Sequence, residues 1–262
     1  MNKKYKLTDE TIMYYGRELH RIEALSNFSD VEIGQKGGFV ESENNLSQVG
    51  NCWIYNNAKV FDRAVVSEDA SIYDNAIVCG YAEVYGNAEV ATRAKVKGYA
   101  KVYGDAYIGE SSSVVGKAQV FDYAFVEGNA IIRDNARVYG HADIDGNSII
   151  MDYAEIYDNA TVIDMSFIFG KSKVSNNVVV SGNAMIRDAI IKEKTDYIIF
   201  KNWWSSGRHF TWTKSNNMWS VGCFYGTGEE LIAKAYNDSE LSGREYERIV
   251  KYVESITNEK EI

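Results

Sequence analysis

From Ala58 to Ile186 the apolar positions recur every six residues without an insertion. A small residue opens each hexad, mostly alanine, with serine at Ser112, Ser148, Ser166 and Ser172 and valine at Val178. Two places later stands Val or Ile in all 22 hexads. Alternate residues of an extended chain share a face, so Ala82 and Val84 point one way and Glu83 and Tyr85 the other. The pairs that follow, such as Gly86-Asn87, Asp74-Asn75 and Asp158-Asn159, tolerate positive φ and predict a turn after every short strand. Units this short bury their apolar side only against neighbours, which predicts a solenoid of three strands and three turns per 18 residues. Twenty-two hexads predict about seven triangular coils.

A spacing of 18 sorts the outward positions into three faces. On one, Tyr85, Tyr103, Phe121, Tyr139 and Tyr157 form an aromatic column beside Glu83, Lys101, Gln119, Arg137 and Glu155. Such a column predicts either stacking between coils or a subunit contact. A second face turns apolar over its last coils, with Ile131, Ile149, Met151, Phe167, Phe169 and Met185. Apolar patches of this size are normally covered, which predicts an oligomer interface or a seat for the C-terminal segment. The third face, with Asp69, Asn87, Asp105, His141, Asp143, Asp145 and Asn159, reads as solvated.

The hexads divide the chain into an N-terminal β cap (1–51), the solenoid (52–190) and a small α+β domain (191–262). The cap is expected to have strands at Tyr5–Leu7, Ile12–Tyr14 and Leu19–Leu25 and to shield the first ladder edge, which would otherwise recruit other chains. In the last part Tyr197–Phe200, Phe210–Thr213 and Met218–Phe224 have strand character, the last two joined by Lys214-Ser215-Asn216-Asn217. Thr227-Gly228-Glu229-Glu230 and Ser242-Gly243-Arg244-Glu245 both read as capping boxes, predicting two helices. Tyr246, Ile249, Val250, Val253 and Ile256 give the second an apolar stripe.

Composition then narrows the class. Among 262 residues there is no proline, the net charge is -9 and mean hydropathy is -0.31. An acidic chain argues against broad nucleic-acid binding, which needs a basic surface. Neither a bilayer-spanning apolar run nor a signal-peptide core is evident, so no membrane partner and a cytoplasmic location are expected. Cys52, Cys79 and Cys223 show neither metal spacing nor an even-numbered disulfide pattern.

The hexads resemble the left-handed β-helix proteins of the hexapeptide-repeat family, whose [LIV]-x-x-x-[small]-x motif matches Val60 to Ala64 and its successors. The resemblance implies the left-handed winding, a mostly β parallel fold and trimeric assembly. Arg21-Ile22-Glu23-Ala24-Leu25, Gly37-Gly38-Phe39-Val40-Glu41, Asn45-Leu46-Ser47 and Gly50-Asn51-Cys52-Trp53-Ile54-Tyr55 resemble the opening of hexapeptide-repeat proteins of phages and prophages. Gly222-Cys223-Phe224-Tyr225-Gly226-Thr227 followed by Glu230 resembles a small domain that ends them. In acyltransferases of this fold a histidine at a subunit boundary is the general base. The sole histidine of the repeats is His141, open to that role or to capping a turn. The zinc hydratases of the fold need three clustered histidines, and His20, His141 and His209 are all this chain has. A Cys223–His209 nucleophile pair lacks an orienting third group.

The C-terminal domain holds the densest recognition-type residues: Lys201, Trp203, Trp204, Ser206, Arg208, His209, Trp212, Lys214 and Tyr225. Aromatic faces stack on planar ligands while Arg and Lys hold anions, although the same aromatics also suit a small core. Trp203 and Trp204, being adjacent, cannot both face one core. Ser205-Ser206-Gly207-Arg208 is a candidate anion-binding turn. The expectation is a non-catalytic homo-oligomer without cofactor or metal, taking a nucleotide-derived host immune signal or a host defence protein. A hexapeptide-repeat acyltransferase and a structural phage component are the alternatives.

Overall fold

In a computed structural model that describes residues 3–258, the hexads wind into a parallel β-solenoid of about eight coils. Each coil contributes one short strand to each of three sheets. The capped face runs from Lys59–Val60 to Met185–Arg187, the ladder face from Val65–Val66 to Ile190–Ile191, and the third face from Trp53–Ile54 to Val179–Val180. The count exceeds the expected seven because both ends extend the pattern past its strict form. Cys52 and Ile54 fill the inward positions of an earlier hexad, and Ala189 and Ile191 those of a last one shortened by a residue.

Burial follows the period. Every inward Ala and Val/Ile of the hexads is buried, so the prism interior is one continuous apolar core. Serine is tolerated there because its hydroxyl donates back to the corner carbonyl three residues earlier: Ser112 to Gly109, Ser148 to Asp145 and Ser172 to Phe169, at 2.6 to 2.7 Å. That bond removes the cost of burying an unpaired hydroxyl. The corners adopt positive φ, and many hold aspartate. Its carboxylate accepts from the backbone N–H of the next coil, as Asp62 does from Gly80, Asp152 from Gly170 and Asp164 from Gly182. Local turn chemistry thus also ties coil to coil.

At the N-terminus β1 (Tyr5–Tyr14) and β2 (Arg17–Ala24) form an antiparallel hairpin, and β3 (Lys36–Val40) joins it to the capped face by pairing with Lys59–Val60. The two strands expected at Tyr5–Leu7 and Ile12–Tyr14 are one, interrupted by a register shift between Leu7 and Thr11. Gly38 is required at the junction: a Cβ there would lie 2.5 Å from the Ala58 carbonyl oxygen. Lys4 reaches the buried backbone, donating to the Gly50 and Cys52 carbonyls, and burial lowers its pKa.

At the other end β4 (Tyr197–Lys201), β5 (His209–Thr213), β6 (Met218–Val221) and β7 (Phe224–Gly226) make an antiparallel sheet, followed by α1 (Gly228–Asp238) and α2 (Glu240–Asn258). The single strand expected over Met218–Phe224 is broken by a turn at Gly222, which has positive φ. Thr227 and Glu230 form the expected capping box of α1. The box expected at Ser242 is absent, since α2 begins at Glu240 and Ser242 lies inside it. Ser239, which ends α1, accepts from the Ser242 N–H and so starts α2 as well.

The sheet's two sides have different partners. Ile198, Phe200, Phe210, Trp212 and Trp219 pack with Leu231, Tyr246, Val250 and Val253 of the helices. Tyr197 and Ile199 instead pack on the solenoid core. Side chains of this side also bond the terminal coil: Thr211 accepts from the Met185 N–H, Ser215 from the Ile190 N–H, and Asn216 donates to the carbonyls of Arg187 and Asp188. An open ladder edge is thereby closed by side chains rather than by another strand.

Candidate functional site

The outward positions are where chemistry is available, and the coil register brings them into columns. On the ladder face Tyr85, Tyr103, Phe121, Tyr139 and Tyr157 stack continuously, their centroids 4.8 to 5.1 Å apart and their planes within 6° of parallel. The neighbouring column is bonded to this stack. Tyr103 donates to Gln119, Tyr139 to Glu155, and the Arg137 guanidinium lies 5.2 Å from the rings of both Phe121 and Tyr139. Burial, then the Glu155 carboxylate, pushes the Tyr139 hydroxyl up to about 12. Lys101 pairs with Glu83 at 2.8 Å and Lys173 with Glu155 at 3.6 Å.

Both edges of this face carry further rings. At the corner toward the capped face Tyr81 and Tyr99 stack at 4.7 Å and are exposed, with Arg63 5.4 Å from the Tyr81 ring. At the corner toward the third face the His141 imidazole stacks on Tyr123, centroids 4.8 Å apart and planes 5° from parallel. His141 is exposed, and its side chain makes no hydrogen bond among the described residues, so it does not cap the turn. The column around it otherwise consists of amide and carboxylate pairs, such as Asn87 with Asp105 and Asn159 with Asn177. Tyr123 and His141 replace one such pair by a ring stack.

The third face is not uniformly solvated as expected. Tyr107 and Phe125 stack on it at 4.8 Å, because the same period that builds the ladder aligns them. Beyond them Glu127, Asp143 and Asp145 crowd together. Burial first, and then the neighbouring carboxylates, raises the pKa of both Glu127 and Asp143.

The candidate residues of the C-terminal domain are dispersed. Arg208 and His209 share a crevice with Phe167, Asn183, Met185 and Gly222, and His209 Nδ1 lies 3.0 Å from the Asn183 amide. Trp212 is buried, its indole N–H donated to Asn217, and Lys214 lies beside it over α2. Tyr225 faces the solenoid, donating to the Arg187 carbonyl with the Arg187 guanidinium 4.5 Å from its ring. Trp204 turns inward against Tyr246 and Phe210, while Trp203 is 72% exposed. Lys201 and Ser206 are exposed. On the capped face, Phe167 and Met185 meet this domain at the Arg208 crevice. Ile149, Met151 and Phe169 are half-buried, with Arg133 against the Met151 sulfur and Arg187 over the Phe169 ring.

Among the described residues no group of three or more His, Cys, Asp or Glu is arranged to hold a metal ion, and no helix is long and apolar enough to cross a membrane. Tyr123 and His141, like Tyr81 and Tyr99, stand 18 residues apart, so the period that aligns the strands also aligns these corner rings.

No protein-family model matches the chain. Over 74 residues it is 40% identical to a protein of Escherichia coli (strain K12) named "Uncharacterized acetyltransferase YdcK". The matched stretch covers 25% of this chain and 23% of that protein. The six-residue period and the three parallel sheets are themselves those of a hexapeptide-repeat solenoid.

Proposed function

We propose that this protein is an acyltransferase of the hexapeptide-repeat type, with His141 as general base on the outside of the prism. The observation that carries the reading is the 40% identity over 74 residues to a protein bearing the acetyltransferase name. The geometry supports it in one respect: His141 is exposed at the edge of the ladder face and held by Tyr123 in one ring orientation. In the reaction, an acceptor amine or hydroxyl attacks the carbonyl carbon of an acyl thioester. The new C–N or C–O bond forms as the C–S bond breaks. The imidazole takes the acceptor's proton and passes it to the departing thiolate. The test is thiol release from acetyl-coenzyme A by the purified chain, against a panel of amines and hydroxyl compounds. Release that His141→Ala abolishes supports the reading; no release with any acceptor overturns it.

A second reading, the non-catalytic binder, rests on the C-terminal turn. There Trp203 is exposed on the turn that also carries Ser206, the positive-φ Gly207 and Arg208, so that one short segment presents a ring and a cation. Such a pair suits a planar anion, including a nucleotide-derived signal. A bound 260 nm chromophore in the purified protein, or a thermal shift with cyclic nucleotides that Arg208→Ala removes, supports it. Their joint absence sinks it.

A further inference from the structure

The ladder face has a charge sequence that is complementary to its own reverse. Along the coils the column reads Glu83, Lys101, Gln119, Arg137, Glu155, Lys173, with each residue in register with the next. We infer that two copies of this chain pair through this face, antiparallel, about a two-fold axis running along the strands between the coils of Gln119 and Arg137. A rotation about that axis keeps each column opposite itself and reverses the coil order. Glu83 of one copy then faces Lys173 of the other, Lys101 faces Glu155, and Gln119 faces Arg137. The in-chain pairs Lys101–Glu83 and Lys173–Glu155 meet with their signs reversed, so each lysine sits between two carboxylates.

The other columns agree with the same axis. In the aromatic stack, Tyr103 meets Tyr157 and Phe121 meets Tyr139. At one edge Tyr99 meets Tyr153, and at the other Tyr123 meets His141. No column on the face sets like charges opposite one another.

Other registers are worse. Moving the axis half a coil one way puts Lys101 against Arg137 and Glu83 against Glu155. Half a coil the other way puts Lys101 against Lys173 and Arg137 against itself. A full coil in either direction keeps only one kind of opposite-charge contact and shortens the overlap. An axis parallel to the prism faces the charged column with the aromatic one and forms no ion pair. An isologous contact requires a surface that matches itself under a two-fold, and this one does so in a single full-length register. Six coils at ~4.8 Å and a width of ~20 Å would bury roughly 1,200 Å² in total, the lower end for a specific dimer. The inference does not rest on the acyl-transfer reading, but it sets Tyr123 of the second copy opposite His141 at the edge of the interface, and it predicts a dimer where the fold resemblance implies a trimer.

Sedimentation of the full chain over a concentration series tests it. The expected result is a species of twice the 29.5 kDa chain mass. Lys101→Glu and Glu155→Lys should each weaken self-association at least tenfold, because each sets like charges opposite twice. Mixing the two variants should restore dimers, as only the mixed pair is complementary. Circular dichroism of each variant verifies that the solenoid is intact. A monomer at about 100 μM, a trimer, single variants that dimerise like the parent, or a mixture that stays monomeric would each overturn the inference.

Discussion

The imidazole of His141 lies 4.8 Å from the ring of Tyr123 on the preceding coil and 5° from parallel to it. The contact fixes the ring plane and leaves the exposed imidazole reachable from solvent. It also separates two effects that one substitution would confound, holding the corner and moving a proton. His141→Asn should leave the melting temperature within about 2 °C, as expected of an exposed site. If the acyl-transfer reading holds, the same variant should lower thiol release by about 100-fold or more. Melting curves and release rates on one preparation test both.

Phe121 is the middle ring of the ladder and 9% exposed, with rings at 4.8 and 4.9 Å on either side. Phe121→Ala removes two stacking contacts and buried area, and should cost about 2–4 kcal/mol. Tyr85→Ala, at the end of the stack, loses one contact and should cost about half as much. Equal costs in chemical denaturation would show that the stack contributes little beyond each ring's own burial.

The N-terminal junction is sterically closed around Gly38. A Cβ at that position would meet both the Ala58 carbonyl oxygen and Ile54 Cγ2 at 2.5 Å. Gly38→Ala should therefore destabilise the cap by about 2 kcal/mol or more. Hydrogen exchange would locate the damage at β3 and the Lys59–Val60 strand; unchanged protection there would contradict the packing argument.

Asp143 and Glu127 are expected to work against stability at neutral pH. Their carboxyls are raised, by burial and then by neighbouring carboxylates, so the folded chain holds these protons more tightly than the unfolded chain does. Their contribution thus favours folding at low pH and is lost as the pH rises from the ordinary carboxylate range through the raised folded values. Asp143→Asn should raise the melting temperature by about 1–2 °C at pH 7 and make no difference below pH 4. Melting curves of both proteins across pH 3–8 decide it.

Asn216 donates to the carbonyls of Arg187 and Asp188 and so fastens the β5–β6 turn to the last coil. Asn216→Ala removes both bonds, leaving the Arg187 carbonyl its bond from Tyr225 and the Asp188 carbonyl to solvent, and should cost about 0.5–1.5 kcal/mol. Faster amide exchange over Met185–Ile191, with the N-terminal coils unaffected, is the signature to seek.

Which side chains point inward was decided by the sequence. An uninterrupted six-residue period admits one way to bury Val84 and Ala82 together, and it aligns every outward position with its counterparts 18 residues away. The ladder from Tyr85 to Tyr157 is therefore readable in the sequence itself. Contacts between segments with no common period were not. Nothing local tells that Tyr197 and Ile199 pack on the prism while Ile198 and Phe200 pack on helices, or that Trp204 turns in while Trp203 stays exposed. In that domain both sides of the sheet are covered, and alternation separates two sides without saying what lies against each. The candidate ligand residues of the C-terminal domain were close in sequence, yet the fold assigns Arg208, Trp212 and Tyr225 to three different surroundings. A strand reverses direction at each turn and alternates sides at each residue, so proximity along the chain does not become proximity in a site.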